Sequence, residues 1–348
     1  SVYMFLPVEL LIHFLWLSGG FVLLYFGAEW LVKGASEIAL RLGISPLVVG
    51  LTVVAFGTSM PELLVCLKAN SPEVLAVPAG WFGFNIDTGN TSPDMALGNI
   101  VGSNIFNIAL ILGVAAVIRP VIIHMQLIRR ELPILLGSSI VFLVMMSDKH
   151  LARWEGAVLA VGILVYIIAN VSLSRKAKCV KQFEEFEQEE IEQAKKGGLR
   201  VFFDIVLILL GIVALVLGAD WLVDHGEQIA TIFGVPDVVI SLTLFALGTS
   251  LPELATAIVA ALKRQGDIIT GNAIGSCIFN ILAVIGVTAA VKPVCGKAIA
   301  WLDLGVMMGL TIIIVPLMWT SMKLNRKEGA VLIFVAFAYA TVVIVVQR

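Results

Sequence analysis

Charged side chains are scarce in this sequence. Asp, Glu, Lys and Arg make up only 14% of its 348 residues, whereas a soluble globular domain has about 25%. The mean hydropathy is correspondingly high, at +1.01. This shortage excludes an ordinary soluble enzyme or binding module. Because the sequence has no basic patch either, it predicts no nucleic-acid partner.

Cysteine and histidine are also sparse, and neither shows the spacing of a metal site. The four cysteines include no CxxC pair, so we interpret them as small hydrophobic residues, mostly buried. The four histidines are scattered, and we interpret them as structural or interfacial residues: His13, His124, His150 and His225. The sequence therefore predicts no cofactor.

Long apolar runs take the place of charged segments. A membrane-spanning helix needs about 20 apolar residues, and runs of this length favour helices over the short alternating segments of a β-barrel. We therefore predict an all-α membrane protein with ten transmembrane helices. They lie near residues 10–40, 45–67, 94–118, 126–147, 152–173, 202–232, 236–262, 268–291, 300–321 and 327–347.

Two unusual motifs each occur twice. Gly-Thr-Ser-x-Pro-Glu spans residues 57–62 and again 248–253, at an offset of 191. Gly-Asn-x-x-Gly-Ser-x-Ile-Phe-Asn spans residues 98–107 and again 271–280, at an offset of 173. The two offsets differ by 18, which places an 18-residue insertion in the first half, within about 70–92.

The duplication predicts two inverted five-helix repeats. Because five is an odd number, the two halves enter the membrane from opposite sides. We expect a first repeat over residues 1–173, a polar linker over 174–200 and a second repeat over 201–348. Lys and Arg are more frequent in the loops on the linker's side, which predicts a cytoplasmic linker and termini outside. The insertion is then expected outside, near the ion entrance.

The repeated proline and carboxylate indicate an ion site at membrane depth. Pro61 and Pro252 have no N–H for the carbonyl four residues earlier, so each helix is expected to kink and expose a backbone oxygen. Glu62 and Glu253 directly follow these prolines. An ionisable residue inside a membrane is costly, and it marks a functional site.

The other polar side chains of the motifs also carry oxygen. They are the hydroxyl and amide groups of Thr58, Ser59, Thr249, Ser250, Ser103, Asn107, Ser276 and Asn280. Oxygen ligands favour Ca²⁺ or Na⁺ over zinc or copper, and Mg²⁺ is less suited because it retains its waters. Two carboxylates neutralise one Ca²⁺ or two Na⁺, so a site that serves both ions alternately would couple their movements. Protonation would neutralise them too, which leaves coupling to H⁺ open.

The duplicated motifs resemble those of the cation/calcium antiporter superfamily, and they look closest to the prokaryotic sodium/calcium exchangers. The resemblance covers nearly the whole chain. It implies that helices 2, 3, 7 and 8 form a core past which helices 1 and 6 slide or rock. It also implies electrogenic exchange of three Na⁺ for one Ca²⁺ across the cell membrane. We expect a monomer to suffice for function, and the oligomeric state stays open.

The resemblance carries ligand roles to individual residues. Glu62 and Glu253 match the central carboxylates, the hydroxyl and amide residues of the motifs surround them, and Ala55 and Ala246 match positions that contribute backbone carbonyls. Asn280 stands where potassium-dependent relatives have Asp, which argues against potassium dependence.

Three other functions compete with sodium/calcium antiport. Ca²⁺/H⁺ antiport would use the same scaffold and differ only in the driving gradient. A passive cation channel needs a continuous pore, commonly built by oligomeric symmetry, which two inverted halves do not supply. An intramembrane hydrolase would need a Ser–His or metal–His constellation, and the sequence has neither. We therefore predict a transporter in the lipid bilayer, with Ca²⁺ and Na⁺ as its substrates, and not an enzyme.

Overall fold

The computed structural model describes residues 2–42, 44–71, 93–176, 198–233, 248–296 and 300–346. Almost all of the insertion predicted within about 70–92 and most of the linker predicted over 174–200 therefore lie outside the described residues. Within the described ranges the chain is almost entirely helical.

The first half contains eight α-helical segments, several of them joined end to end through π-helical turns. The π-helical turns cover Gly50–Val54, Asn107–Ile111 and Leu127–Glu131. The α-helices are α1 (Val2–Leu42), α2 (Pro46–Val49), α3 (Ala55–Thr58), α4 (Met60–Asn70), α5 (Pro93–Phe106), α6 (Leu112–Ile118), α7 (Leu132–Met145) and α8 (Arg153–Lys176).

The second half repeats this order. A π-helical turn again follows the second motif, at Asn280–Ile285. The described α-helices are α9 (Gly198–Ile232), α10 (Leu251–Leu262), α11 (Gly266–Phe279), α12 (Gly286–Val291), α13 (Trp301–Ser321) and α14 (Arg326–Val346).

Seven helical stretches in the described part of the chain are long and apolar enough to cross a membrane. An eighth is formed if the bent pair Pro46–Thr58 and Met60–Asn70 counts as one span. Helix α14 occupies the predicted tenth span, and Leu251–Leu262 is the described end of the predicted seventh. The helical membrane class is thus confirmed, whereas the number ten stays a prediction.

Helices α1 and α9 pack closely along their length in an antiparallel pair. A Cβ atom added to Gly20 would lie 2.9 Å from the carbonyl oxygen of Gly218, and one added to Gly27 would lie 2.9 Å from that of Gly211. Only glycine permits two backbones to approach this closely. At the offset of 191, Gly20 corresponds to Gly211 and Gly27 to Gly218, so each contact is the repeat image of the other.

Two pairs of short strands also join the halves, and the pairs are equivalent under the repeat. Strand β1 (Val121–Ile122) pairs antiparallel with β4 (Lys323–Leu324), and β2 (His150–Leu151) pairs antiparallel with β3 (Val294–Cys295). At the offset of 173, the first pairing maps onto the second. These two-residue strands were not predicted, because nothing in an apolar helical sequence distinguishes them from ordinary loop.

The motif helices occupy the centre of the molecule. Pro93–Ile118 and Gly266–Val291 are the most buried of the candidate spans. A Cβ atom on Gly271 would lie 2.7 Å from the carbonyl oxygen of Leu47, and one on Gly275 would lie 2.9 Å from that of Leu51. The G-x-x-x-G glycines of the second copy thus let two helices approach closely, and they hold this motif against the helix that carries the first. The equivalent Gly98 and Gly102 have no such neighbour within 4 Å in the described part of the chain.

Candidate ion-binding site

The first copy of the first motif interrupts its helix just before the proline, and in the second copy a helix begins at the equivalent position. Ser59 lies between α3 and α4, and the chain bends there by 42°. Ser250 takes the same position ahead of α10, with Pro252 in the first turn of that helix. The kink predicted from Pro61 is confirmed, since a proline cannot continue the hydrogen-bond ladder of the preceding turn.

The two motif carboxylates lie in the first turn of the helices that restart here. Glu62 and Glu253 are both 0% exposed. Glu253 Oε1 accepts a hydrogen bond from Ser59 Oγ at 3.4 Å. Among the described residues, the other oxygen of Glu253 and both oxygens of Glu62 have no hydrogen-bond partner. A helix N-terminus favours a negative charge, yet a buried carboxylate without a counter-charge costs several kcal/mol and therefore needs a cation or a proton.

Two equivalent hydrogen bonds join the motifs of opposite halves. The Thr58 hydroxyl donates to Asn272 Oδ1 at 3.1 Å, and the Thr249 hydroxyl donates to Asn99 Oδ1, also at 3.1 Å. Each bond runs from the first motif of one half to the second motif of the other. The two halves therefore close on each other around the carboxylates.

The final asparagine of each second motif begins a π-helical turn. Asn107 opens Asn107–Ile111 and Asn280 opens Asn280–Ile285, and such π-bulges inside α-helices are frequent at functional sites. Asn280 Nδ2 donates to Asn104 Oδ1 at 3.1 Å. The Asn107 amide is fully buried and has no hydrogen-bond partner within the described ranges.

Asn104 and Cys277 explain this difference between the asparagines. At the offset of 173 they are equivalent residues, and they contact each other reciprocally. Asn104 Nδ2 donates to the Cys277 carbonyl at 3.5 Å, and Cys277 Sγ lies 3.8 Å from the Asn104 carbonyl oxygen. Because cysteine has no amide oxygen, the equivalent of the Asn104–Asn280 bond cannot form for Asn107.

The remaining predicted site residues lie in the same buried region. Ser250 Oγ donates to Ser103 Oγ at 3.4 Å, and Ser276 Oγ is buried without a partner among the residues described. The Ala55 carbonyl accepts the Ser59 amide at 3.0 Å and thus already serves the helix. Ala246 lies outside the described residues. Every other predicted site residue is described and buried.

The pattern of these residues matches a known family. The sequence model of the family described as sodium/calcium exchanger protein matches residues 12–172 and 203–345. These two matches cover most of each half. The chain belongs to the sodium/calcium exchanger family. It is accordingly a multi-pass integral membrane protein and an antiporter.

Relatives of this exchanger align over nearly their whole length. A putative antiporter, CaxA, of Alkalimonas amylolytica is 36% identical over 92% of this chain and 95% of its own. The inner membrane protein YrbG of Escherichia coli is 36% identical over 90% of this chain and 91% of its own. The sodium/calcium exchanger MaX1 of Methanosarcina acetivorans is 30% identical over 95% of this chain and 98% of its own.

Solved structures of the sodium-calcium exchanger NCX_Mj share the fold of this exchanger. The form soaked without Na⁺ and Ca²⁺ superposes with a TM-score of 0.78 at 27% identity, covering 96% of this chain and 99% of that one. The form soaked with 10 mM Na⁺ and no Ca²⁺ gives a TM-score of 0.76.

Sequence reasoning missed three asparagines of the exchanger's site. Asn99 and Asn272 accept the threonine hydroxyls, and Asn104 accepts the Asn280 amide. Helical spacing could have revealed the first two, because Asn99 stands four residues before Ser103, which itself stands four before Asn107. Asn104 lies off this face, and its role depends on a contact with the other half.

Proposed function

We propose that this chain exchanges Na⁺ for Ca²⁺ across the membrane by alternating access. One observation carries the proposal: Glu62 and Glu253 are fully buried, occupy equivalent positions in the two halves and form no ion pair within the described residues. Ser59 bonds Glu253, and the neighbouring motif residues carry hydroxyl and amide groups that bond each other. Hard cations such as Ca²⁺ and Na⁺ take oxygen ligands of this kind.

The proposed site places the two carboxylates at its centre. Together they supply a charge of about −2, which one Ca²⁺ or two Na⁺ neutralise. The surrounding ligands are the oxygens of Thr58, Ser59, Ser103, Asn107, Thr249, Ser250, Ser276 and Asn280, with the carbonyls of Ala55 and Ala246.

Coupling follows from the cost of leaving this site without a counter-charge. A conformational change that carries two buried, uncompensated carboxylates through the membrane has a high free-energy barrier. The loaded site switches and the vacant one does not, which makes exchange obligatory. If three Na⁺ move against one Ca²⁺, two of them balance the carboxylates and the third makes transport electrogenic.

The proposed architecture is a ten-helix inverted repeat. It is supported by contacts that occur twice, once in each orientation of the repeat: Gly20 with Gly218 has its equivalent in Gly211 with Gly27, and Thr58 with Asn272 has its equivalent in Thr249 with Asn99. We propose that α1 and α9 move past the core that holds the two motifs, within a single chain. The linker then lies in the cytoplasm and both termini lie outside the cell membrane.

Uptake of ⁴⁵Ca²⁺ into proteoliposomes tests this function. Vesicles loaded with Na⁺ are diluted into choline, K⁺ or Na⁺ buffer at clamped pH. We expect uptake that requires internal Na⁺ and disappears in external Na⁺. An imposed inside-positive potential should accelerate uptake, because three Na⁺ leaving for one entering Ca²⁺ carries net positive charge outward. Uptake that ignores the Na⁺ gradient would contradict the proposal.

Ca²⁺/H⁺ antiport is the second candidate. The observation in its favour is that both Glu62 oxygens lack a hydrogen-bond partner among the described residues, so a proton would neutralise this group as a cation does. In the same assay this mechanism predicts uptake that is indifferent to Na⁺ and restored by a pH gradient. Glu62 and Glu253 would then carry protons instead of binding Na⁺.

A further inference from the structure

His13 and His225 face each other across the α1–α9 interface. Their Nδ1 atoms are 2.9 Å apart, the distance of a hydrogen bond in which one ring donates a proton that a bound metal ion would replace, and their ring centroids are separated by 5.2 Å. The antiparallel register that sets Gly20 against Gly218 also sets His13 against His225. Because 212 residues separate the two histidines in the sequence, their spacing alone gave no sign of this pairing.

Aromatic residues hold the pair in place near the end of both helices. The Trp16 ring stacks on the His225 ring, with centroids 5.6 Å apart and planes inclined by 16°. Trp16 also meets Trp221 edge to face at 4.5 Å. Tryptophan concentrates at the membrane–water interface, and the neighbouring Asp224 is close enough to interact electrostatically with His225. Both histidines are only partly buried, so an ion can reach them from water.

The two facing nitrogens have nearly the separation that a transition metal needs. Zinc binds imidazole nitrogen at 2.0–2.1 Å, so two such ligands in a tetrahedral site stand about 3.3 Å apart. The observed 2.9 Å between the Nδ1 atoms is shorter by only a few tenths of an ångström. We propose that His13 and His225 bind one divalent transition-metal ion of the Zn²⁺, Cu²⁺ and Ni²⁺ class, which joins α1 to α9.

The chemistry of this pair separates it from the transport site. Imidazole suits zinc, copper and nickel, whereas Ca²⁺ and Na⁺ prefer oxygen. In the described part of the chain, no cluster of three or more His, Cys, Asp or Glu residues could hold a metal. Water therefore completes the coordination, and we expect binding that a chelator reverses.

The repeat supplies only one such site. His13 corresponds to Asp204 and His225 to Gly34 at the offset of 191. At that other end of the helix pair, Arg41 Nε binds Asp204 Oδ2 at 2.6 Å. A salt bridge thus ties α1 to α9 at one end, and the proposed metal ties them at the other.

Metal titration of the full chain tests the proposal. The protein is purified with an affinity tag that contains no histidine, so that the tag binds no metal. We expect one Cu²⁺ per chain with an electron paramagnetic resonance spectrum of two nitrogen ligands, and Zn²⁺ should displace it while excess Ca²⁺ does not. His13→Gln and His225→Gln should each weaken binding by more than about tenfold, and His124→Gln, at a histidine outside the pair, should leave it unchanged. Equal binding by all three variants would overturn the proposal.

A second measurement needs no variant. Diethyl pyrocarbonate modifies accessible imidazoles, and mass spectrometry of the unmutated protein locates the modified residues. We expect Zn²⁺ to protect His13 and His225 and to leave His150 unprotected. Equal modification of His13 and His225 with and without Zn²⁺ would refute the site, whether or not the variants fold.

Discussion

The two halves carry the same motif side chains, but these side chains have different hydrogen-bond partners. Glu253 accepts a hydrogen bond from Ser59, whereas the oxygens of Glu62 have no hydrogen-bond partner among the described residues. Asn280 donates to Asn104, whereas Asn107 has no partner in that part of the chain. The two threonine–asparagine bonds, in contrast, are equal in length.

Helices α1 and α9 also differ in the partners of equivalent acidic residues. Glu29 on α1 pairs with Lys263 Nζ at 2.9 Å. Its equivalent on α9 is Asp220, whose Oδ1 is buried without a hydrogen-bond partner among the described residues. In an inverted repeat, exchanging the conformations of the halves converts one access state into the other. For the proposed inverted repeat, we expect contacts that are equal in both halves to serve both states and unequal contacts to set the relative free energies of the two states.

The largest expected effect comes from neutralising either carboxylate. We predict that Glu62→Gln and Glu253→Gln each reduce ⁴⁵Ca²⁺ uptake to background, because the remaining charge of about −1 no longer balances Ca²⁺. Both variants should stay folded, since an amide is less costly to bury than a carboxylate. Thermal unfolding in detergent checks the fold.

Glu131→Gln is the matched control for these two variants. Glu131 is also 0% exposed, it belongs to neither motif, and it accepts a hydrogen bond from Tyr166 at 2.9 Å. A glutamine keeps that acceptor, so uptake should persist. If one motif variant transports normally, the two halves are not equivalent at the site and the assignment of that carboxylate is wrong.

A second pair of variants compares the two asparagines. Asn280→Asp adds a third carboxylate to the site, and the extra charge should attract an additional monovalent cation, so we predict altered dependence of Ca²⁺ uptake on Na⁺, K⁺ and H⁺. Asn107→Asp places the same charge where no partner is described. Ca²⁺ uptake measured with each monovalent cation distinguishes the two variants. If neither variant changes the dependence of uptake on these cations, the amides of Asn107 and Asn280 are not ion ligands.

The threonine bonds should respond equally. Thr58→Val and Thr249→Val each remove a buried hydrogen bond and should lower the free energy of unfolding by about 1 kcal/mol, with a matching loss of apparent Ca²⁺ affinity. Thr311→Val is the control, because Thr311 is buried and, among the described residues, bonds only the Met307 carbonyl of its own helix, at 2.8 Å. If the two variants lose different amounts of unfolding free energy or Ca²⁺ affinity, the two bonds contribute unequally although their lengths are equal.

Most of the candidate site could be proposed from the sequence because its residues repeat and because polar groups stand out within apolar membrane segments. Glu62, Pro61 and Ser103 are identified by type and position within apolar runs. The cross-half bonds of Asn99 and the contact of Asn104 with Cys277 could not be predicted, since they depend on how the halves dock. The π-helical turns also went unforeseen, because the extra residue shifts the helix face by about 100°, and a buried helix that is apolar on all sides has no polar stripe to reveal that shift.

The smallest effect concerns a contact between the halves that pH should modulate. His124 Nε2 lies 3.0 Å from Asp267 Oδ1, with the histidine side chain 42% exposed. The hydrogen bond to Asp267, aided by its charge and opposed by burial, raises the pKa of His124. Since the folded pKa exceeds the unfolded one, the stabilisation is complete below the unfolded pKa of about 6.5 and is lost as pH rises through the folded pKa.

His124→Gln should therefore cost most at acidic pH. Because the pair is partly exposed, we expect less than about 1 kcal/mol, with the unfolding temperature of the variant approaching that of the unmutated protein as pH rises. His150→Gln, at an exposed histidine, is the control. A difference between His124→Gln and the unmutated protein that stays constant with pH would mean that the imidazole contributes by packing alone, and that this link between the halves does not depend on charge.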